Sequence, residues 1–295
     1  MTSDVTMERV ARPPALPPRA ASSHKGTFGR VLIVAGSREM SGAAVLCGSA
    51  ALRGGAGLVQ VACPADAHPL VAVGNPCYTT VVIGHRADGT YSDACLLELV
   101  RRAEQADVVA IGPGLGQRDD VRMLVRGLVA DLPQKPIILD ADALNALAPW
   151  DASPTEERPA AMILTPHPGE FARLVGMSTA AVQADREAQA FRFARQHRVI
   201  LLLKGHGTIV TDGRRVYCND TGNPGMATGG TGDVLTGLIA ALHGQGMPAF
   251  DAAVLGAWVH GRAGDLAAAH LGQVALTARD LLDYLPPALR EVTPG

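Results

Sequence analysis

Within residues 222–246, GNPGMATGGTGDVLTGLIAALHGQG, a glycine-dense approach ends in a single carboxylate, Asp233, and passes at once into an apolar helical run. The N–H groups of Gly229, Gly230, Thr231 and Gly232, with the first free N–H groups of the helix, form a site for an anion such as phosphate. The glycines let that phosphate come close. A carboxylate beside a transferring phosphoryl group can take the proton from an attacking hydroxyl. Asp233 can equally be an N-cap or a first-turn acid favoured by the helix dipole. The pattern alone leaves both roles open.

Five more segments rich in glycine or polar residues each follow a predicted strand: GSREMSG after 30–35, GPGLG after 106–111, DADALN after 136–139, TPHPGE after 161–164 and KGHGT after 199–203. Open α/β sheets gather ligands at the carboxyl ends of their strands. A glycine after a strand is usually turn chemistry, so the convergence of all five is the signal. Known nucleotide motifs are missing. GPGLG lacks the third glycine of GxGxxG, and the chain has no GxxxxGK[ST], GxSxG or HExxH.

The elements that must position these segments are short β-branched runs alternating with helical patterns: RVLIVA, LVQVAC, ADVVAIG, PIILDAD and AMILTP, each followed by a helix. That alternation predicts right-handed βαβ crossovers and a mainly parallel sheet with helices on both faces. After VILLLKG the runs TIVTD and RVYCN read as a hairpin near one edge. Two helical stretches, from Val234 and over 251–270, are expected to close the chain. Residues 1–22, rich in Pro, Ala and Arg, read as a tail or a strap on the surface. The rest, 23–290, reads as one domain.

Composition narrows the function. The 295 residues are 47% hydrophobic and carry a net charge of −2, with Lys and Arg scattered. No nucleic-acid partner is expected. The five cysteines form no CxxC pair and are odd in number, so neither a disulfide framework nor a zinc site is expected. The N-terminus has no apolar leader and no run is long enough to span a bilayer, so the expected location is the cytoplasm.

Taken in order, KGTFGRVLIVAGSREMSGAA, AIGPGLG, ILDADALNAL, LTPHPGEFARL, LLLKGHGTIV and GNPGMATGGTGDVLTGLIAAL resemble the ribokinase-like family of NAD(P)H-hydrate dehydratases, across residues 25–278. The resemblance implies a three-layer α/β/α sandwich in which ADP or ATP, with Mg2+, phosphorylates the C6 hydroxyl of hydrated NADH or NADPH before phosphate is eliminated. It makes Asp233 the base and a substrate contact, with Gly230, Thr231 and Gly232 donating N–H groups to the phosphate. Lys204, Gly205, His206, Gly207 and Thr208 match the adenine-nucleotide loop, and residues 223–232 match a second nucleotide segment. Ala43, Gly114 and 167–173, including His167 and Glu170, match positions lining the hydrated-cofactor pocket. No metal-ligating side chain is implied. A homo-oligomer is expected, and so is a stand-alone dehydratase with any epimerase on a separate polypeptide. The rival is a kinase of the hydroxyethylthiazole kinase type, which shares the fold and the GTGD motif.

Several of these residues carry a second reading. His167, between two prolines, is held in an extended turn suited to substrate contact, or is a plain surface turn. Lys204 binds phosphate or extends its ammonium to water from a strand end. Asp142 and Asn145 share a helix face and can orient ribose or a metal-bound water, with Asp142 alternatively a cap. Glu170 caps its helix or meets the nicotinamide amide. The small residues over 41–54 let backbone pack on a dinucleotide or on another helix.

Overall fold

Strands buried on both faces carry continuous apolar runs, because neither side of the sheet has a polar layer to meet. Val31, Leu32, Ile33 and Val34 of β2 (Arg30–Val34) are all buried, as is every residue of β5 (Val108–Ile111), β6 (Ile137–Leu139) and β7 (Met162–Leu164). The computed structural model describes residues 7–84, 95–150 and 160–293. It holds one ten-stranded sheet. The other strands are β1 (Glu8–Arg9), β3 (Leu58–Cys63), β4 (Thr79–Val82), β8 (Ile200–Leu203), β9 (Ile209–Thr211) and β10 (Arg215–Cys218), in the order β1-β10-β9-β8-β7-β6-β5-β2-β3-β4. From β8 to β4 every pair is parallel; β9 is antiparallel to both β8 and β10, as the hairpin reading expects. Val31 lies opposite both Val59 and Val108, which fixes the central register.

One face is covered by α3 (Leu96–Glu104), α4 (Asp119–Asp131), α5 (Asp142–Leu147), α6 (Pro168–Val175), α7 (Thr179–Ala184) and α8 (Arg186–His197), whose Leu99, Leu124, Leu144, Phe171, Val182 and Ala190 share one core with the sheet. The other carries α1 (Ser41–Arg53), α2 (His68–Gly74), α9 (Thr231–Gly244) and α10 (Ala249–Leu271), with α11 (Ala278–Arg290) packed outside α9 and α10. The small-residue stretch over 41–54 is a helix contact: a Cβ on Gly237 of α9 would lie 2.0 Å from the Cys47 carbonyl oxygen of α1.

The structure departs from the sequence reading at both ends. Three helices close the chain, because Thr277 and Asp280 form a capping box that starts α11. The N-terminal strap donates a strand: Glu8 and Arg9 pair in parallel with Arg215 and Val216, and Arg9 reaches Glu187 through two nitrogens at 2.6 and 3.0 Å. Residues 1–6 of that strap lie outside the described residues. No described helix is long and apolar enough to cross a membrane.

Candidate active site

The chain leaves β2 and returns in β5 on its other side, which makes the gap between these neighbours a switch point where loops part and a ligand can enter. Gly114 sits there at φ +66, and a Cβ on it would lie 2.9 Å from the Cβ of Ala43 in the first turn of α1. These two candidates for the hydrated-cofactor pocket are therefore neighbours across that gap. Next to them Asp142 accepts a hydrogen bond from Gly116 N at 2.8 Å, so it ties the GPGLG loop to α5 and does not cap its own helix. Asn145 accepts from Arg173 Nε at 3.0 Å.

At the end of β7, His167 is the N-cap of α6. Its Nδ1 accepts from Gly169 N at 3.0 Å and Glu170 N at 3.3 Å, while the buried Glu170 carboxylate accepts from His167 N at 2.8 Å. This reciprocal capping box gives Glu170 a capping role and uses one nitrogen of His167. Because Nδ1 accepts, the neutral ring carries its hydrogen on Nε2, which faces Glu170 Oε1 at 3.4 Å. Burial lowers the His167 pKa, against the opposing pull of Glu170.

Asp140, at the end of β6, is the residue that sequence reasoning passed over. It is 1% exposed and accepts from Lys204 Nζ at 2.8 Å and Thr236 Oγ1 at 2.8 Å. Lys204 thus does not trail into water: Asp140 holds its ammonium at the edge of the cavity that it lines. Its ammonium is bound between carboxylates, 3.9 Å from Glu170 as well, and although burial opposes the charge, Asp140 and then Glu170 raise its pKa overall. The residue after Asp140, Ala141, has φ +49, a left-handed conformation that a non-glycine residue adopts at a cost. A Cβ on Gly112 would lie 1.8 Å from the Asp140 carbonyl oxygen, so the first glycine of GPGLG is what lets β6 end here.

Above the pair lies the GGTGD turn. Gly230 is the N-cap of α9 at φ +92, and a Cβ there would meet Leu46 at 2.6 Å. A Cβ on Gly232 would lie 3.2 Å from Lys204 Nζ, which puts the loop directly over the buried ammonium. Asp233, in the third position of the helix, makes no hydrogen bond among the described residues and caps nothing. Burial, followed by the negative charge of Asp140, raises its pKa to about 7, with Lys204 pulling the other way. His260 of α10 fixes the turn from behind: its ring nitrogen Nε2 lies 2.8 Å from the Thr231 carbonyl, which can only accept, so Nε2 donates. Burial pushes its pKa down to about 4 and keeps the ring neutral.

A cavity of about 590 Å3 opens beside the turn, lined by Lys204 to Thr208, by the 221–227 loop, and by Thr231, Gly232 and His260. Its volume is that of a drug-sized ligand site. Every candidate of the KGHGT loop lines it, with Thr231 and Gly232. Ala43, Gly114, His167 and Asp233 lie outside its lining. Asp265 holds its far wall, accepting from Gly222 N and Asn223 Nδ2 at 2.9 Å each. Among the described residues no three His, Cys, Asp or Glu side chains gather to hold a metal ion.

A mainly parallel sheet between two helical layers, with a glycine-rich turn opening a helix over the strand ends, defines a ribokinase-like α/β fold. Within it the chain belongs to the NAD(P)H-hydrate dehydratase family, whose model matches residues 31–287. The bifunctional NAD(P)H-hydrate repair enzyme Nnr of Moorella thermoacetica is 47% identical over 279 residues, covering 94% of this chain and 52% of its own length. The ADP-dependent (S)-NAD(P)H-hydrate dehydratase of Neisseria meningitidis serogroup B is 38% identical, covering 92% of this chain and 87% of its own. The chain thus spans about half the length of the bifunctional relatives. A crystal structure of the ADP/ATP-dependent NAD(P)H-hydrate dehydratase of Bacillus subtilis, co-crystallised with ATP and Mg2+, superposes with a TM-score of 0.80 at 32% identity, covering 94% of this chain and 95% of that one.

Proposed function

We propose that this chain uses ADP or ATP to dehydrate the S epimer of hydrated NADH or NADPH. The observation that carries the reading is Asp233 with a pKa near 7, at a helix N-terminus that borders a nucleotide-sized cavity through Gly232. A base working at neutral pH needs its pKa near that value.

The nucleotide enters the cavity with its terminal phosphate at the GGTGD turn, where Gly230, Thr231 and Gly232 present N–H groups to the charge that develops. Ala43, Gly114 and His167 receive the hydrated ring. Asp233 takes the proton from the C6 hydroxyl as its oxygen bonds to phosphorus and the bond to the leaving nucleotide breaks. The C6–O bond then breaks with its electron pair passing to phosphate, the ring nitrogen lone pair replaces it, and loss of a C5 proton restores the dihydropyridine double bond. Hydroxide is a poor leaving group and phosphate a good one, which is why the nucleotide is spent. A Mg2+ ion carried in with the nucleotide would be held by phosphate oxygens and, through water, by carboxylates near the loop. It would supply neutralisation of phosphate charge.

The test is to supply hydrated NADH with ADP or ATP and Mg2+ and to follow reduced-nicotinamide absorbance and phosphate together. Equal release supports the reading. A stable phosphoester of a thiazole alcohol, with no turnover of hydrated NADH, would move it to the kinase.

A further inference from the structure

An arginine at the first position of a helix stands at the wrong end of the helix dipole. Arg186 opens α8 in that position, so some other contact must repay its placement. Its two terminal nitrogens reach three backbone carbonyls at the end of β8: Nη1 lies 2.5 Å from His206 O, and Nη2 lies 3.1 Å from Lys204 O and 3.2 Å from Leu203 O. Its Nε is buried without an acceptor among the described residues. Burial lowers the pKa of the guanidinium, whose ordinary value is far above neutrality, so it stays charged.

A trans peptide is planar, and its C=O and N–H point in opposite directions. With the carbonyls of Leu203, Lys204 and His206 turned to the guanidinium, the following amides of Lys204, Gly205 and Gly207 must turn away from it. The first of these is taken by Pro166 O at 2.9 Å. The amides of Gly205, His206 and Gly207 meet no protein acceptor among the described residues, and all three residues line the cavity. Gly205 makes the arrangement possible: its φ is +138, and a Cβ there would sit 2.8 Å from Arg186 Nη2. One fixed cation on the outside of the loop thus turns the bare N–H donors of Gly205 and Gly207 away from itself, while the Gly205 carbonyl, ahead of the His206 amide, accepts from Thr208 Oγ1 at 2.9 Å.

We propose that Arg186, which does not line the cavity, is the positioning residue that holds the 204–208 loop in its anion-accepting shape and so sets affinity for the nucleotide's phosphates. The inference rests on the nucleotide reading of that cavity and adds its determinant. Arg186→Ala is expected to weaken ADP binding, measured by calorimetry, about tenfold to a hundredfold, the scale of one or two lost charge-assisted hydrogen bonds. At saturating nucleotide kcat should stay within about threefold of wild type, since Arg186 touches none of the reacting groups. Added guanidinium at low millimolar concentration should restore part of the affinity. Arg186→Lys should fall between the two, because a point charge cannot span three carbonyls, and this variant decides the matter where Arg186→Ala does not fold. Arg192→Ala, an exposed position on the same helix, should bind ADP as wild type does. Unchanged ADP affinity in Arg186→Ala, or a loss of kcat with affinity intact, overturns the inference. A wild-type protein that binds ADP yet leaves hydrated NADH untouched removes the dehydratase reading alone. One that binds neither ADP nor ATP removes both.

Discussion

An exposed aspartate is almost fully ionised at neutral pH and is correspondingly a feeble base. Asp233 escapes that limit because it is desolvated and has Asp140 as a like-charged neighbour. The free enzyme's kcat/KM should rise with pH through an apparent pKa near 7 and level off above it. Asp233→Asn keeps the shape and removes the acceptor, so turnover should fall about a hundredfold to ten-thousandfold with ADP affinity retained. Near wild-type turnover would end its assignment as the base. The same shift has a cost in stability. The folded pKa lies above the ordinary 3.8, so the folded carboxyl binds its proton more tightly than the unfolded one, and the penalty for ionising it grows as pH rises from about 4 to about 7. Asp233→Asn should therefore melt higher than wild type, with a larger margin at about pH 8 than at about pH 5. An equal margin at both would mean that Asp233 titrates as an exposed acid.

Helices α1 and α9 would carry the two halves of the proposed site, Ala43 on one and the GGTGD turn on the other, and they touch through glycine. Gly237→Ala would bring a methyl group to 2.0 Å from the Cys47 carbonyl, so the helices must part. The expected loss is about 1–3 kcal/mol of stability, the usual scale for overpacking, together with a fall in kcat larger than any loss in ADP affinity, since the cavity is walled by the 204–208 loop, the 221–227 loop, α9 and α10 without α1. Unaltered melting and kcat would show the contact to be slack. This level of organisation was partly legible beforehand. The strands β2, β5, β6, β7 and β8 were read because burial on both faces writes itself as a nearly unbroken apolar run, and β3 was read from LVQVAC despite Gln60 within it. The strand β4, TTVV, has no buried residue, and β1 is two exposed residues whose pairing depends on Arg215 and Val216 far along the chain. Helix α8 is rich in charge and gave no apolar stripe clear enough to read. Glu170 was readable as a cap from its three-residue spacing to His167. The Asp140–Lys204 pair spans 64 residues, and Arg186 meets carbonyls that every residue type carries, so nothing in the local sequence announces either.

At the scale of the whole molecule the cavity draws on segments far apart in sequence: the end of β8, the loop over 221–227, the first turn of α9 and the middle of α10. A ligand touching all of them favours the folded chain as a unit, and its effect follows mass action. ADP at about a hundred times its Kd should add about 2.7 kcal/mol. For a chain of this size that is a rise in melting temperature of roughly 4–5 °C. The increment depends on a wall that holds its shape before ligand arrives, and Asp265 is its fastening beyond Thr221, joining α10 to Gly222 and Asn223, while Thr221 binds the Trp258 carbonyl of α10. Asp265→Ala frees the loop in the absence of nucleotide, so ordering it must be repaid from binding energy. The variant should lose most of the ADP-induced rise at fixed ADP, while its ligand-free melting temperature drops by only a few degrees, because the fastened loop lies largely at the surface and meets the apolar core only through Met226. Paired melting curves with and without ADP measure both quantities. An ADP-induced rise equal to wild type would show that the loop reaches its binding shape without Asp265, and would leave the β8 end and the α9 turn as the parts that hold the nucleotide.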